Sequence, residues 1–217
     1  MATPRTHGPK TERRAFRVEL RADGGGDGAP KTIVGYAAKF DRESQDLGGF
    51  KEVIRKGAFA RAIKEDDVRA LWNHDDNFVL GRNLSGTLRL EEDDTGLRIE
   101  VDPPDAQWAR DLVTSIERGD VDQMSFAFRT IKDTWTRVEG GQPDVLRELL
   151  DVRLYDVSPV TYPAYLDTEV GVRQLVEGRD LTDQEREALR SILGEPAALA
   201  GRRSIDTLAR ELQLSLA

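Results

Sequence analysis

LSGTLRLEEDDTGLRIEVDPP, residues 84–104, is the stretch on which the fold turns. Leu88 and Leu90 alternate with charged residues on one arm. Leu97, Ile99 and Val101 do the same on the other. Alternation with period two puts one face of each arm on a core and the other in water, and DDTG between them supplies a turn. This is an antiparallel hairpin, and it sets the expectation for the rest of the chain.

Working outward, more strands appear. Residues 15–23 (AFRVELRAD) alternate apolar and polar, and glycines at 24–28 break the run. Residues 31–40 (KTIVGYAAKF) read as a second strand, so a hairpin with a loose tip is expected there. Residues 41–50 read as a loop. Ala58, Phe59, Ala62 and Ile63 have helical spacing, which predicts a short helix over 57–65. VRALWNH, residues 68–74, reads as a strand. Residues 105–120 carry Trp108, Leu112, Val113 and Ile116 at helical spacing, with Asp105 as N-cap and Gly119 as stop. DQMSFAFRTIKDTWTRV and VLRELLDVRLYDVSPVTYPAY read as long strands with a turn at Gly140-Gly141 between them. The expectation is a strand-dominated α+β domain over residues 15–170, built on an antiparallel sheet or barrel. Residues 1–14 read as a flexible tail. Residues 171–217 read as a helical C-terminal tail that is removable or binds a partner, with Thr182 and Glu185 forming a capping box for a helix over 181–193.

The 217 residues are 33% charged, with a formal net charge of −8 and no cysteine. The acidic balance argues against nucleic acid as partner, because phosphate recognition needs concentrated positive charge. Without cysteine there are no disulfides, thiol nucleophiles or thiolate metal sites. No metal or organic cofactor is signalled. No apolar run approaches membrane-spanning length, and MATPRTHGPKTERR lacks the apolar segment of a signal peptide, so a soluble intracellular protein is expected.

Chemistry-bearing residues are few. The chain has two histidines, and His7 lies in the polar N-terminal stretch. Imidazole base chemistry at neutral pH therefore has to use His74, in ALWNHDDNFVLGR. MSFAF, residues 124–128, turns Met124, Phe126 and Phe128 to one face and Ser125 and Ala127 to the other, leaving room beside the serine. By themselves, Ser125 also reads as an ordinary outer-face serine and His74 as a turn residue beside Asp75 and Asp76. A histidine in contact with a serine would supply the base that a hydroxyl nucleophile requires. In DVSPVTYPAY, Asp156 shares a face with Leu154 and Ser158 by alternation. It reads either as the acid that orients an imidazole or as a solvated strand aspartate. No G-x-S-x-G elbow surrounds any serine, which argues against an α/β-hydrolase esterase.

GYAAKFD (35–41), RKGAF (55–59), LWNHD followed by LGR, GLRIEV (96–101), ARDLVTSIERGDVDQMSFAF (109–128) and LYDVSPVTYPAY (154–165) occur in an order and spacing that resembles the HK97-type prohead (capsid maturation) serine proteases of tailed bacteriophages. The resemblance covers about residues 16–168. It implies a fold similar to the herpesvirus assemblin proteases: an antiparallel β-barrel with a few surrounding helices. It implies His74 as base, Ser125 as nucleophile and Asp156 as third member, with Glu100 and Glu148 as alternatives. Backbone N–H groups of Ala164 and Tyr165 are the implied oxyanion donors. The implied partners are the major capsid protein with its scaffolding segment, and a second copy of this chain as a dimer. The implied location is the immature capsid in the host cytoplasm, with self-cleavage as a companion reaction. A non-enzymatic alternative keeps the fold as a catalytically silent scaffold or capsid-associated protein.

Overall fold

The structure is a computed structural model that describes residues 11–17, 20–24, 31–138, 140–141 and 143–162. The expected oxyanion donors Ala164 and Tyr165 and the C-terminal segment 171–217 lie outside the described residues.

In chain order the elements are β1 (Glu12–Arg17), β2 (Arg21–Asp23), β3 (Thr32–Lys39), β4 (Lys51–Ile54), α1 (Ala62–Glu65), β5 (Arg69–Trp72), β6 (Asp75–Arg82), a 3-10 turn at Asn83–Ser85, β7 (Leu88–Glu92), β8 (Gly96–Val101), α2 (Gln107–Glu117), β9 (Gln123–Arg137) and β10 (Val145–Val160). They form two sheets. One has the order β1-β9-β10-β5-β6, with β4 also on β10, and the other the order β2-β3-β8-β7. Strands dominate and helices are few, as the α+β expectation has it. No closed barrel is detected among the described strands.

The all-antiparallel expectation is corrected. β4 and β5 both pair with β10 in parallel, β4 along Leu146–Leu149 and β5 at Asp156 and Val157. β10 is 16 residues long, enough for two short strands to lie end to end on one edge. The segment containing α1 links them so that both run the same way.

The opening hairpin forms as read. Leu88 pairs with Val101 and Glu92 with Leu97. Asp93 Oδ1 closes the turn by accepting N–H bonds from Thr95 at 2.6 Å and Gly96 at 2.9 Å. Gly96 is required by close approach, since a Cβ there would sit 2.0 Å from the Ala38 carbonyl oxygen.

Other expectations shift. Residues 15–23 do not make one strand. β1 begins at Glu12, so residues 12–14 of the expected flexible tail 1–14 are strand, and it pairs with β9, whereas β2 joins β3 in the other sheet. The helix expected over 57–65 is confined to Ala62–Glu65: Gly57 has φ 95°, outside the right-handed helix, and residues 58–61 form turns. α2 is capped at Ala106 rather than Asp105, whose carboxylate instead pairs with Arg110. Gly119 does stop α2, at φ 79°.

The core lies between the sheets and α2. It joins Ile33, Leu97 and Ile99 to Leu112 and Ile116 of the helix and to Met124, Phe126, Phe128, Leu154 and Val157 of β9 and β10. This apolar face of β9 leaves Ser125 and Ala127 on the opposite face, as alternation requires.

Candidate active site

β5 and β6 are joined by the two-residue turn Asn73-His74, where Trp72 pairs with Asp75. Both turn residues have positive φ, 55° and 58°. Such a turn demands left-handed backbone at both central positions, and Asn and His tolerate it better than most residues. Asn73 then ties the turn to the end of β10. Its N–H donates to the Pro159 carbonyl at 3.0 Å, and its Oδ1 accepts the Thr161 N–H at 2.9 Å. The turn is thereby held over β10 with the His74 ring directed at the β9–β10 face.

On that face Ser125 pairs with Ser158, and Ala127 with Asp156. One irregularity makes this possible. Leu154 pairs with Phe128, yet Asp156, two residues on, pairs with Ala127, only one residue back. Tyr155 is therefore extra, and the ladder bulges there. Leu154 stays in the core and Asp156 lands on the Ser125 face. The expectation that Asp156 shares a face with Leu154 is thus wrong, and the bulge is the reason.

The three residues meet. His74 Nε2 is 2.7 Å from Ser125 Oγ, and His74 Nδ1 is 2.6 Å from Asp156 Oδ1. An ionised carboxylate can only accept, so Nδ1 carries the proton and donates to Asp156. Nε2 is then a lone pair facing the Ser125 hydroxyl, which donates to it. Ser125 is wholly buried, and the side chains of His74 and Asp156 are 5% and 12% exposed. In a site this dry, charges interact more strongly than in water. The hydroxyl is also closed to a bulky substrate in this conformation.

Glu100 and Glu148 lie elsewhere. Glu100 is on β8 in the other sheet, and its bonds to Arg89 and Arg98 hold its carboxyl below the usual range. Glu148 bonds Arg55 and Thr134 and sits eight residues before Asp156 on β10, about 25 Å along the strand.

Two residues that sequence reasoning passed over take part. Ser158 donates its hydroxyl to Asp156 Oδ1 at 2.7 Å, and Asn73 anchors the histidine turn. Asn before His at a strand end carried a turn signal. Alternation put Ser158 on the face of Asp156, but nothing in the sequence marked its hydroxyl as a partner of that carboxylate.

The arrangement can move a proton from Ser125 Oγ to His74 while Asp156 balances the imidazolium charge. That is the chemistry of acyl transfer through a serine ester.

A sequence-family model described as caudovirus prohead serine protease matches residues 16–180. The prohead protease of Enterobacteria phage HK97 is 27% identical over 173 residues, covering 78% of this chain and 72% of that protein. Among solved structures, the bacteriophage T4 capsid assembly protease aligns with a TM-score of 0.45 at 12% identity, covering 69% of this chain and 98% of that one.

Proposed function

Since the chain belongs to the caudovirus prohead serine protease family, a family of phage capsid maturation, we propose that it is a serine endopeptidase using Ser125, His74 and Asp156. The observation that carries this is the continuous hydrogen-bonded line Ser125–His74–Asp156, at 2.7 and 2.6 Å.

Ser125 Oγ attacks the scissile carbonyl as His74 Nε2 takes its proton. The imidazolium is held by Asp156 through Nδ1–H and then protonates the leaving amine. The acyl group remains on Ser125 as an ester. Water attacks the ester, giving its proton to Nε2, and the ester breaks to regenerate the Ser125 hydroxyl. Backbone N–H groups stabilise the oxyanion, and Ala164 and Tyr165 are our candidates. The mechanism requires no metal or organic cofactor.

The substrates we propose are the scaffolding segment of the major capsid protein and this chain itself, cut inside the immature capsid in the host cytoplasm. A dimer of this chain, and an assemblin-like arrangement of its sheets, belong to the same proposal. The closed Ser125 fits an enzyme that stays silent until assembly uncovers it.

The same closure favours the second reading, a capsid-associated protein with the fold and no activity. Co-expression with the capsid protein separates the two. Wild type, Ser125→Ala and His74→Ala are compared by intact mass. Discrete shortening of the capsid protein or of this chain with wild type alone is the expected result. Full-length masses in all three, with capsids still assembling, would leave the silent scaffold.

A further inference from the structure

Ser158 is fully buried, and its hydroxyl donates to Asp156 Oδ1 at 2.7 Å. That same oxygen accepts the Nδ1–H of His74 at 2.6 Å. Ser158 also stands directly opposite Ser125 in the β9–β10 ladder. We propose that Ser158 is a positioning residue of the Ser125–His74–Asp156 line, fixing the Asp156 carboxylate on the imidazole. The inference rests on the serine protease reading of that site.

Two physical effects follow from the bond. The first is orientation. Asp156 comes just after a bulge, where the regular ladder no longer sets the direction of its side chain. A second short bond to the oxygen that His74 uses removes that freedom, and it also satisfies a hydroxyl that burial would otherwise leave without a partner. The second is electrostatic. A donated hydrogen bond stabilises the ionised carboxylate and draws off part of its charge. The carboxylate then holds the imidazolium formed during reaction less strongly than it would without that bond.

Other charged groups near the site are the same with or without the Ser158 hydroxyl. On β6, Asp75 accepts from the N–H and Nδ2 of Asn77, and Asp76 is exposed. On β5, Arg69 pairs in register with Asp156 but directs its guanidinium to Asp67. On β1, Arg13 lies opposite Ala127 and is exposed. On β10, the Arg153 guanidinium lies over the Tyr155 ring. β9 carries no titratable side chain over residues 124–128. A difference between Ser158 variants therefore isolates the one bond.

The test is a histidine NMR titration of the full chain, in which His7→Ala leaves His74 as the sole signal. Ser158→Ala is expected to raise the proton affinity of His74 about three- to ten-fold over wild type. Ser158→Thr, which restores the hydroxyl, is expected to bring it back. In capsid-protein cleavage the acidic limb of kcat/KM moves up by the same amount. A purely structural role for Ser158 would lower the rate at every pH and leave the limb in place. An unchanged His74 pKa in Ser158→Ala overturns the proposal. Ser158→Cys, a weaker donor of similar shape, is expected to give an intermediate rise and decides the matter if the alanine variant does not fold. Absence of cleavage by wild type at any pH would defeat the protease reading, while the titration still judges Ser158.

Discussion

His74 occupies a backbone conformation that few side chains accept, and it does so next to Asn73, which accepts it too. The strain is held by bonds from Asn73 to Pro159 and Thr161, so the imidazole position is set by a turn and a neighbouring strand together. Its tautomer is set by Asp156. Asp156→Asn keeps the shape but offers Nδ1 an amide that can donate, which favours the wrong tautomer. The expected outcome is a fall in kcat of about 10³–10⁴ with the folded spectrum retained. Steady-state cleavage of a capsid-protein fragment, alongside circular dichroism, checks it. A variant within ten-fold of wild type would remove Asp156 from the mechanism. Ser125, His74 and Asp156 were each legible as residue types in the sequence. Their contact was not, because they are 51 and 82 residues apart along the chain from His74, and no local pattern reports such a distance.

Among the elements, β7–β8 was readable because its signals are local: alternation, an Asp-rich turn and glycine at the turn's end. Gly96 also answers to β3, whose Ala38 carbonyl lies where a Cβ would be. Gly96→Ala is expected to destabilise by about 2 kcal/mol or more, since backbone must shift to make room. Urea unfolding measures it, and a midpoint equal to wild type would show that the β3–β8 ladder does not approach so closely. The elements misread from the sequence were those whose pairing is distant. The stretch 15–23 carries one alternation, yet its two ends belong to different sheets. β4 has only four residues, and its partner lies some 95 positions away on β10. The bulge at Tyr155 leaves no mark in composition, and it alone decides which face carries Asp156.

For the molecule as a whole, β1 is part of the sheet and is locked by charge. Arg147 is fully buried and bonds Glu12, Glu52 and Asp133, while Arg14 bonds Glu12 and Glu52. Burial raises the Glu12 pKa, but the charge and hydrogen bonds of Arg147, with Arg14 and Thr130, outweigh it and bring the pKa from its ordinary 4.5 to about 2. A carboxyl with a depressed folded pKa contributes stability above its unfolded value and loses it as pH falls through the folded one. Glu12 should therefore contribute about 3 kcal/mol at neutral pH, lost between about pH 4.5 and 2. In Glu12→Gln the slope of unfolding free energy against pH should flatten over that window. An unaltered slope would place the acid lability elsewhere. Arg147→Ala removes one cationic partner from each of the buried carboxylates Glu12, Glu52 and Asp133 and is expected to cost about 3–5 kcal/mol, read as a lower Tm.

The sequence by itself determined the strand-rich class, the central hairpin, the amphipathic helix α2 and the placement of Ser125 on the face of β9 opposite Met124 and Phe126. Each follows from periodicity within a few residues of chain. It also carried a family pattern that needs no coordinates. Tertiary structure alone decided that β10 runs parallel to β4 and β5, that the N-terminal strand is tied in by buried ions, and that a bulge turns Asp156 and Ser158 toward His74. These depend on which distant segments meet and on register between strands, and a shift of one residue in register exchanges core for site.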